Sequence, residues 1–274
     1  MILKMIAITL TVLPLFSQSA QPLAENPLPS IDFISKEIMK KQSMLQPMLE
    51  NYTHIETSKT KETNSDGKIS KEETEKREVT RINGKLIRRL VMKNGLDLTS
   101  KETLEEELRI QKECNKAMQE EPSDSIKDIL KYSQFTTLKR AIVHNEKVIV
   151  LDFIPKKGYK PATRFEELAS KLAGQLFVDE TTHEMVGMSS HLTGPVRFLV
   201  GSISIKNGSI EEETSLVNNE IRLPLKLKSK LQVRIFFSNK EIENETIFSD
   251  YQKFTIENKI MKITDTALIP SDGK

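Results

Sequence analysis

Strict alternation of apolar and charged residues is the clearest pattern in the C-terminal third of the chain. Because successive side chains of a strand point to opposite faces of a sheet, such alternation predicts strands with one apolar and one solvated face. Two strands of this kind are predicted, over 221–228 and 231–236, with Ser229–Lys230 as a hairpin link and with Arg222 and Arg234 on the solvated face. The pattern is typical of a sheet that covers a cavity or a core.

Turn residues divide much of the remaining chain into further hairpins. Asn64–Gly67 and Asn83–Gly84 separate three segments that predict a meander over 52–62, 69–82 and 85–92. The second segment is highly charged and locally favours a helix, so helix is its alternative, but the flanking turns favour a strand. Three more hairpins are predicted, the last through a turn at Asn207–Gly208, and their strands cover 135–144 and 147–153, 175–179 and 185–192, and 197–205 and 210–217.

Helical periodicity marks four other segments. A first helix is predicted over 31–49, capped by Ser30 and broken near Pro47. A second covers 99–119, and a third, short helix covers 123–132. A fourth opens at Thr163 with a capping box and ends at Gly174. The apolar stripe predicted for the second helix is Leu104, Leu108, Cys114 and Met118, and that of the fourth is Phe165, Leu168, Ala169 and Leu172.

The first twenty residues have the organisation of a secretory signal peptide. Lys4 provides a short positive region, residues 5–16 form an apolar run, and Ser17–Ala20 offers the small residues that a signal peptidase recognises. The run is short for roughly 30 Å of hydrocarbon, which makes a membrane anchor the weaker interpretation. We expect residues 1–19 to be removed, residues 20–30 to form a flexible lead-in, and no later segment to cross a membrane.

Composition indicates a globular protein with a modest core and a heavily charged surface. Charged residues make up 29% of the chain, hydrophobic residues 37%, and the formal net charge is +2. A nucleic-acid-binding protein usually has a larger basic excess, so no nucleic-acid partner is expected. A single cysteine excludes an intrachain disulfide, and a domain of this size can fold without one. We predict a periplasmic or secreted protein with one β-rich domain and a helical lid over 31–264, followed by a loose tail over 265–274.

No motif for catalysis, a metal or a cofactor stands out. The four histidines, at positions 54, 144, 183 and 191, lack metal-ligand spacing, and no nucleophile-elbow, dinucleotide-binding or phosphate-binding sequence occurs. A Ser/His/Asp triad assembled from distant residues stays open, although no residue points to one. For Cys114, a half-buried apolar role is favoured over a reactive thiol. We therefore predict a protein that is not an enzyme and holds no metal or cofactor.

Short motifs in the second half of the chain resemble a group of periplasmic carriers. Gly174–Asp179, followed by its hairpin return, resembles a strand of the lipoprotein carriers that runs from glycine through an apolar-aromatic-apolar stretch to aspartate. Glu220–Pro224 and Asp250–Phe254 resemble closing strands of the same group. In their order, over about residues 135–254, these motifs are similar to secreted bacterial proteins related to the outer-membrane lipoprotein-sorting superfamily.

The resemblance implies an α+β fold, with a curved antiparallel β-sheet (an unclosed half-barrel) covered by a few helices over an apolar cavity. It implies a periplasmic carrier for a lipid or an acylated, lipoprotein-like ligand, without catalysis. The alternative is a non-enzymatic envelope scaffold or interaction module, with an envelope protein as its partner and a cavity filled by its own side chains. In the carrier interpretation, the cavity wall contains Ile221, Leu223, Leu225, Leu231, Val233 and Ile235.

Overall fold

The computed structural model describes residues 27–119, 130–158, 160–161, 164–198 and 203–254. Its fold is a curved, unclosed antiparallel sheet of twelve strands with a few helices, which confirms the predicted fold class. The predicted signal peptide, the tail and most of the lead-in lie outside the described residues. The helix predicted over 123–132 is described only at 130–132, and these three residues are helical.

Helix α1 covers Ile31–Leu49, in agreement with the sequence. It begins after Ser30, whose hydroxyl oxygen accepts a hydrogen bond from the Phe33 amide at 3.2 Å. Pro47 lies inside the last turn, near the predicted break. Ile34 and Ile38 are fully buried, so this helix is anchored to the sheet by one apolar stripe.

The N-terminal part of the sheet is a meander of four strands. They are β1 (Tyr52–Asn64), β2 (Ile69–Ile82), β3 (Lys85–Lys93) and β4 (Leu96–Asp97). The charged segment 69–82 is therefore a strand, and its helical alternative is wrong. The turn between β2 and β3 is the predicted one, with φ of 50° at Asn83 and 75° at Gly84, as a tight hairpin turn requires.

Helix α2 covers Ser100–Gln119 and begins with a capping box that we did not predict. The Thr99 amide donates to the Glu102 carboxylate at 2.9 Å, and the Glu102 amide donates to the Thr99 hydroxyl at 3.3 Å. The Glu106 carboxylate accepts a hydrogen bond from the Leu90 amide of β3 at 2.6 Å. Since β4 pairs only with the last two residues of β3, the helix covers backbone groups that β4 leaves unpaired.

The apolar stripe predicted for α2 is wrong at three of its four positions. Leu104, Leu108 and Met118 are 57%, 51% and 62% exposed. The face that packs against β3 carries Ile110 and Ala117 together with half-buried Cys114. Polar side chains such as Glu106 share this face because they bond to the strand edge, and a hydrophobic pattern alone does not reveal them.

The C-terminal part of the sheet contains eight strands and one short helix. The sheet order is β4-β3-β2-β1-β12-β11-β10-β8-β7-β6-β5, with β9 paired to β10. Pairing of β1 with β12 joins the two meanders. The bounds are β5 Ser133–Val143, β6 Glu146–Pro155, α3 Arg164–Ala169, β7 Leu172–Asp179, β8 Met185–Leu192, β9 Val196–Phe198, β10 Ile203–Val217, β11 Ile221–Ile235 and β12 Ser238–Lys253.

The helix predicted from Thr163 to Gly174 is too long. Helix α3 ends at Ala169, and β7 begins at Leu172. Gly174 does not end a helix but lies within the sheet, where a Cβ atom would stand 2.0 Å from the Ser189 carbonyl oxygen. The apolar spacing of Leu168, Ala169 and Leu172 fits a helix, yet it spans the junction of two elements.

Two predicted turns are also wrong, because β10 and β11 each continue through them. Asn207–Gly208 lies inside β10 at a bulge, and Ser229–Lys230 lies inside β11. The rows 221–227 and 231–235 therefore follow one another along one strand and do not lie side by side. The turn between β10 and β11 covers 218–220, where Asn218 and Asn219 have positive φ, and the turn between β11 and β12 is Phe236–Phe237.

Candidate functional site

One face of the sheet carries α1 and α3, and we call it the inner face. Ile34 of α1 packs there in one apolar cluster with Leu176 of β7 and Met188 of β8. Directly opposed residues of antiparallel strands share a face. Because Met188 is opposite Glu212, and Glu212 is opposite Leu227, the inner face continues from β7 to β11.

An apolar cleft of about 190 Å³ lies on the inner face between α3 and the strands β7, β8, β10 and β11. The hydroxyl of Ser229 is the polar side-chain group in its lining. Strand alternation places Leu227, Ser229 and Leu231 together here, while Lys228 and Lys230 point to the opposite, outer face. The full lining is Leu168, Leu172, Leu192, Ile205, Gly208, Ile210, Leu227, Ser229 and Leu231.

Gly208 shapes one wall of this apolar cleft. A Cβ atom at this position would lie 2.5 Å from the Leu231 Cδ2 atom and 3.7 Å from the Leu192 Cδ1 atom. The missing side chain therefore allows Leu231 and Leu192 to approach the β10 backbone. Gly208, which the sequence placed in a turn with Asn207, thus makes room for the side chain of Leu231 beside the cleft.

The predicted cavity-wall residues are distributed over different surroundings. Leu231 lines the apolar cleft. Ile221 and Leu223 are buried in a separate cluster with Leu45 of α1 and with Tyr52. The structure thus divides the first and second predicted rows between two apolar clusters.

The other predicted wall residues do not line the cleft. Leu225 is 42% exposed and lies at a bulge, where the register of β11 against β10 shifts by one residue. Val233 is buried and Ile235 is half-buried. Leu225 is the extra residue of this bulge, since Glu213 pairs with Lys226 and Thr214 with Pro224.

Several lining residues were absent from the predicted wall. Leu227 belongs to the same alternating row and carried a usable sequence signal. The turn wrongly predicted at Asn207–Gly208 placed Ile205 and Ile210 on different strands, although both belong to β10 and line the cleft. The remaining missed residues, Leu168, Leu172 and Leu192, come from elements whose approach to β11 depends on the tertiary fold.

A polar patch adjoins the apolar cleft on β1 and β12. Thr246 is opposite Leu227 on one side and Ser58 on the other, so it lies on the inner face. The buried hydroxyls of Ser58 and Thr246 are 2.8 Å apart. Asn244 donates to the Thr60 hydroxyl at 2.9 Å and accepts from Thr246 at 3.0 Å. The inner face thus changes from apolar to hydrogen-bonding within two strands.

Glu212 lies at the boundary between the apolar cleft and this polar patch. It is opposite Met188 on β8 and Leu227 on β11. Burial raises the pKa of its carboxyl, and no cation among the described residues pairs with it. Burial thus disfavours the charged form of this carboxyl, which in its protonated form can donate as well as accept a hydrogen bond.

An ion pair between a buried carboxylate and a half-exposed guanidinium lies further along the inner face. Glu56 is 5% exposed, and its carboxylate accepts hydrogen bonds from the Arg88 Nε atom at 2.9 and 3.2 Å. Burial acts to raise the pKa of Glu56, but the hydrogen bonds from His54 and Arg88 and the charge of Arg88 outweigh it and lower that pKa. Arg88 and His54 therefore compensate the Glu56 charge within the sheet.

A second, larger cleft of the described residues lies on the outer face of the central strands. Its volume is about 390 Å³, and its lining includes the four lysines 59, 61, 228 and 230 and the four glutamates 72, 211, 243 and 245. Lys230 contacts Glu243 at 2.9 Å and Glu241 at 2.8 Å. Because its charges balance, this cleft favours neither an anion nor an acyl chain.

The remaining reactive side chains form no recognisable centre within the described residues. No group of three or more His, Cys, Asp or Glu residues there could hold a metal ion. Burial and the neighbouring Glu113 raise the pKa of Cys114, which disfavours the thiolate. No helix in the same part of the chain is both long and apolar enough to cross a membrane.

Comparison with known proteins finds similarity at the level of solved structures. No family model and no curated protein matches the chain. An outer-membrane lipoprotein-sorting protein domain, so described, from Vibrio parahaemolyticus is 11% identical, with a TM-score of 0.39 and coverage of 84% of this chain and 97% of that one. The description of that domain names the same group as the motifs of residues 174–179, 220–224 and 250–254.

A second similar structure is a DUF1329 family protein from Desulfovibrio piger. It is 8% identical, with a TM-score of 0.36, and the match covers 82% of this chain and 94% of that one. The Pseudomonas aeruginosa MucA/MucB complex also matches, at 7% identity and a TM-score of 0.23, over 81% of this chain and 99% of that one. Similarity this distant says nothing about ligands.

Proposed function

We propose that the protein is a periplasmic or secreted carrier for an amphiphile with an acyl chain, and that it performs no chemistry on this ligand. The observation that carries the proposal is the division of the inner face. An apolar cleft on β7, β8, β10 and β11 adjoins a patch of hydroxyl and amide groups on β1 and β12. An amphiphile has the same division between its chain and its head.

The apolar cleft suits one segment of an acyl chain. Its volume of about 190 Å³ is below the roughly 300–1,000 Å³ of pockets that enclose a whole drug-sized ligand. The head and the rest of the ligand therefore extend along the inner face. Transfer of each methylene group from water contributes about 0.8 kcal/mol, so even a short buried segment gives useful affinity.

The ligand head would lie beside Glu212 and the polar patch. The Glu212 carboxyl, whose pKa burial raises, and the hydroxyls of Ser58 and Thr246 offer polar groups to the head, and the hydroxyls can both donate to and accept from hydroxyl, ester or amide groups. The signal-peptide pattern supports a location where such a ligand is moved between membranes. The sequence resemblance to lipoprotein carriers indicates the same class of ligand.

The test is to block the apolar cleft without removing any apolar group from it. S229F would place a phenyl ring among Ile210, Leu227 and Leu231, while K228F places the same ring on the outer face of the same strand. Binding of a fluorescent long-chain fatty acid to the full chain should weaken at least tenfold in S229F, about 1.4 kcal/mol, and stay within about twofold in K228F.

Native mass spectrometry of the chain purified from cells supplies a second measurement. The unmodified protein and K228F should carry a copurified lipid, and S229F should not. If the unmodified chain carries no lipid and binds no fatty acid, the carrier proposal is wrong. A lower melting temperature of S229F in that case would support the filled-cavity scaffold instead, since the ring would then be forced into a packed core.

A further inference from the structure

The turn between β11 and β12 exposes two consecutive phenylalanines. Phe236 is 64% exposed and Phe237 is 94% exposed. Ile235 pairs with Ser238, so these two residues form the whole loop of the hairpin. Side chains at such a tip make little packing contact with the rest of the fold, so a polar residue could replace either phenylalanine. Exposure of large apolar side chains to water is also unfavourable.

The backbone makes this choice of residue more unusual. Phe236 has a φ of 52°, whereas the φ of Phe237 is not positive. A positive φ at the first turn residue alone is the pattern of a type II′ turn. The first position of that turn normally holds glycine, because a Cβ atom is strained there. The other two-residue turns that the structure describes with positive φ place Asn, Gly or His at these positions. Folding alone therefore does not account for a phenylalanine at this turn.

Cations surround the base of the same hairpin. The Arg234 Nε atom donates to the Phe236 carbonyl oxygen at 2.9 Å, and the Lys206 Nζ atom donates to the Asn239 side-chain oxygen at 2.8 Å. Both side chains belong to exposed residues. Lys240 lies on the adjacent part of β12 and contacts Glu62 at 2.8 Å. Arg234, Lys206 and Lys240 thus lie behind the aromatic tip, and Lys240 is paired with Glu62.

The geometry points to a membrane-docking tip, in which Phe236 and Phe237 enter the interface of an anionic lipid surface while Arg234 and Lys206 contact its headgroups. Aromatic rings favour the interfacial region, and basic residues bind anionic lipid surfaces. A protein partner is less favoured, because a stable interface needs about 800 Å² per partner and two projecting rings supply far less. This inference does not depend on the carrier proposal.

The chain contains no tryptophan, which allows a site-specific test. F237W places a single indole at the tip, and I142W places one at a comparably exposed position on β5, where Ile142 is 74% exposed. Both variants are compared as the full chain, so that the apolar run 5–16 contributes equally. Vesicles of equimolar phosphatidylglycerol and phosphatidylcholine, with brominated chains, should shift the emission of F237W to the blue and quench it, and should leave I142W unchanged.

Charge variants test the electrostatic part of the docking surface. R234Q and K206Q should each lower the vesicle partition coefficient of the F237W chain about fivefold at low salt, since each basic residue contributes about 1 kcal/mol near an anionic surface. Equal quenching by pure phosphatidylcholine vesicles would overturn the role of the cations. An indole that stays fully exposed to water with anionic vesicles would overturn the inference altogether and leave a protein as the occupant of the tip.

Discussion

Arg222 is the residue whose surroundings differ most from the sequence prediction. Alternation predicted a solvated side chain, but it is 9% exposed and lies near Glu146, Asp179 and Glu184, the last two at 3.9 Å. Strands β6, β7 and β8 supply or flank these carboxylates, so their approach to β11 is a property of the assembled sheet. The outer face is thus buried here and solvated elsewhere.

Loss of the Arg222 charge should destabilise the protein strongly. R222M leaves a cluster of carboxylates without its cation and should lower the free energy of unfolding by about 3 kcal/mol, measured by urea denaturation. K226M on the same strand removes the partner of Glu245 from a more exposed pair and should change it by less than about 1 kcal/mol. Similar effects of both variants would contradict the burial of the Arg222 site.

Glu212 should make stability fall as the pH rises. Its folded-state pKa is raised above the ordinary value of about 4.3, so the folded state binds more protons between these two pKa values. E212Q removes this dependence and should be more stable than the unmodified chain at neutral pH, with a difference that vanishes in acid. Urea midpoints measured across the pH range decide this. The pH dependence that Glu56 contributes has the opposite sign, because its pKa is lowered in the folded state. Glu56 stabilises the fold at pH values above its ordinary pKa, and this stabilisation is lost as the pH falls through the folded-state pKa.

At the scale of elements, α2 shows how contact with the sheet decides which face of a helix is buried. Ile110 is 8% exposed and packs against Ile87 of β3, whereas Leu108, which the sequence placed in the buried stripe, is 51% exposed. I110D should lower the free energy of unfolding by about 3 kcal/mol, because an unpaired carboxylate would enter that contact. L108D should change it by less than about 0.5 kcal/mol. Thermal unfolding of the two variants provides the comparison, and a reversed order would restore the predicted stripe.

The whole molecule depends on pairing between its two ends. The pairs Tyr52–Lys253 and Asn64–Lys240 mark the limits of the contact between β1 and β12, which unites two meanders of otherwise local hairpins. Any processing of the N-terminus must therefore leave β1 and the preceding α1 intact. The predicted cleavage after Ser19 or Ala20 meets this condition, since α1 begins at Ile31.

Export should be visible in the mature protein. Mass analysis of protein from the native host should give an N-terminus at Ala20 or Gln21, because the apolar run 5–16 and the small residues that follow form a cleavable signal. Recovery of intact Met1 in a soluble cytoplasmic fraction would contradict both export and the periplasmic or secreted carrier proposed above.

The sequence by itself determined the features that depend on local chemistry. Asn83–Gly84 predicted its turn because positive φ is favourable at both residues, and Ser30 predicted the start of α1 because its hydroxyl caps a nearby amide. Alternation likewise predicted that Leu231 faces inward. The fold class followed from the number of such strands and from the resemblance that their order carries.

Only the tertiary structure decided which local patterns were overridden. Asn207–Gly208 lies within a strand because Leu231 fills the space beside Gly208, and Leu225 leaves the apolar row because of a bulge against β10. The apolar cleft combines residues from α3 and four strands, whose separation along the chain conceals their proximity. Packing between segments that are distant in the sequence decides which side chains contact one another and which are kept apart. No short stretch of sequence contains this information, so the lining of the apolar cleft depended on the tertiary structure.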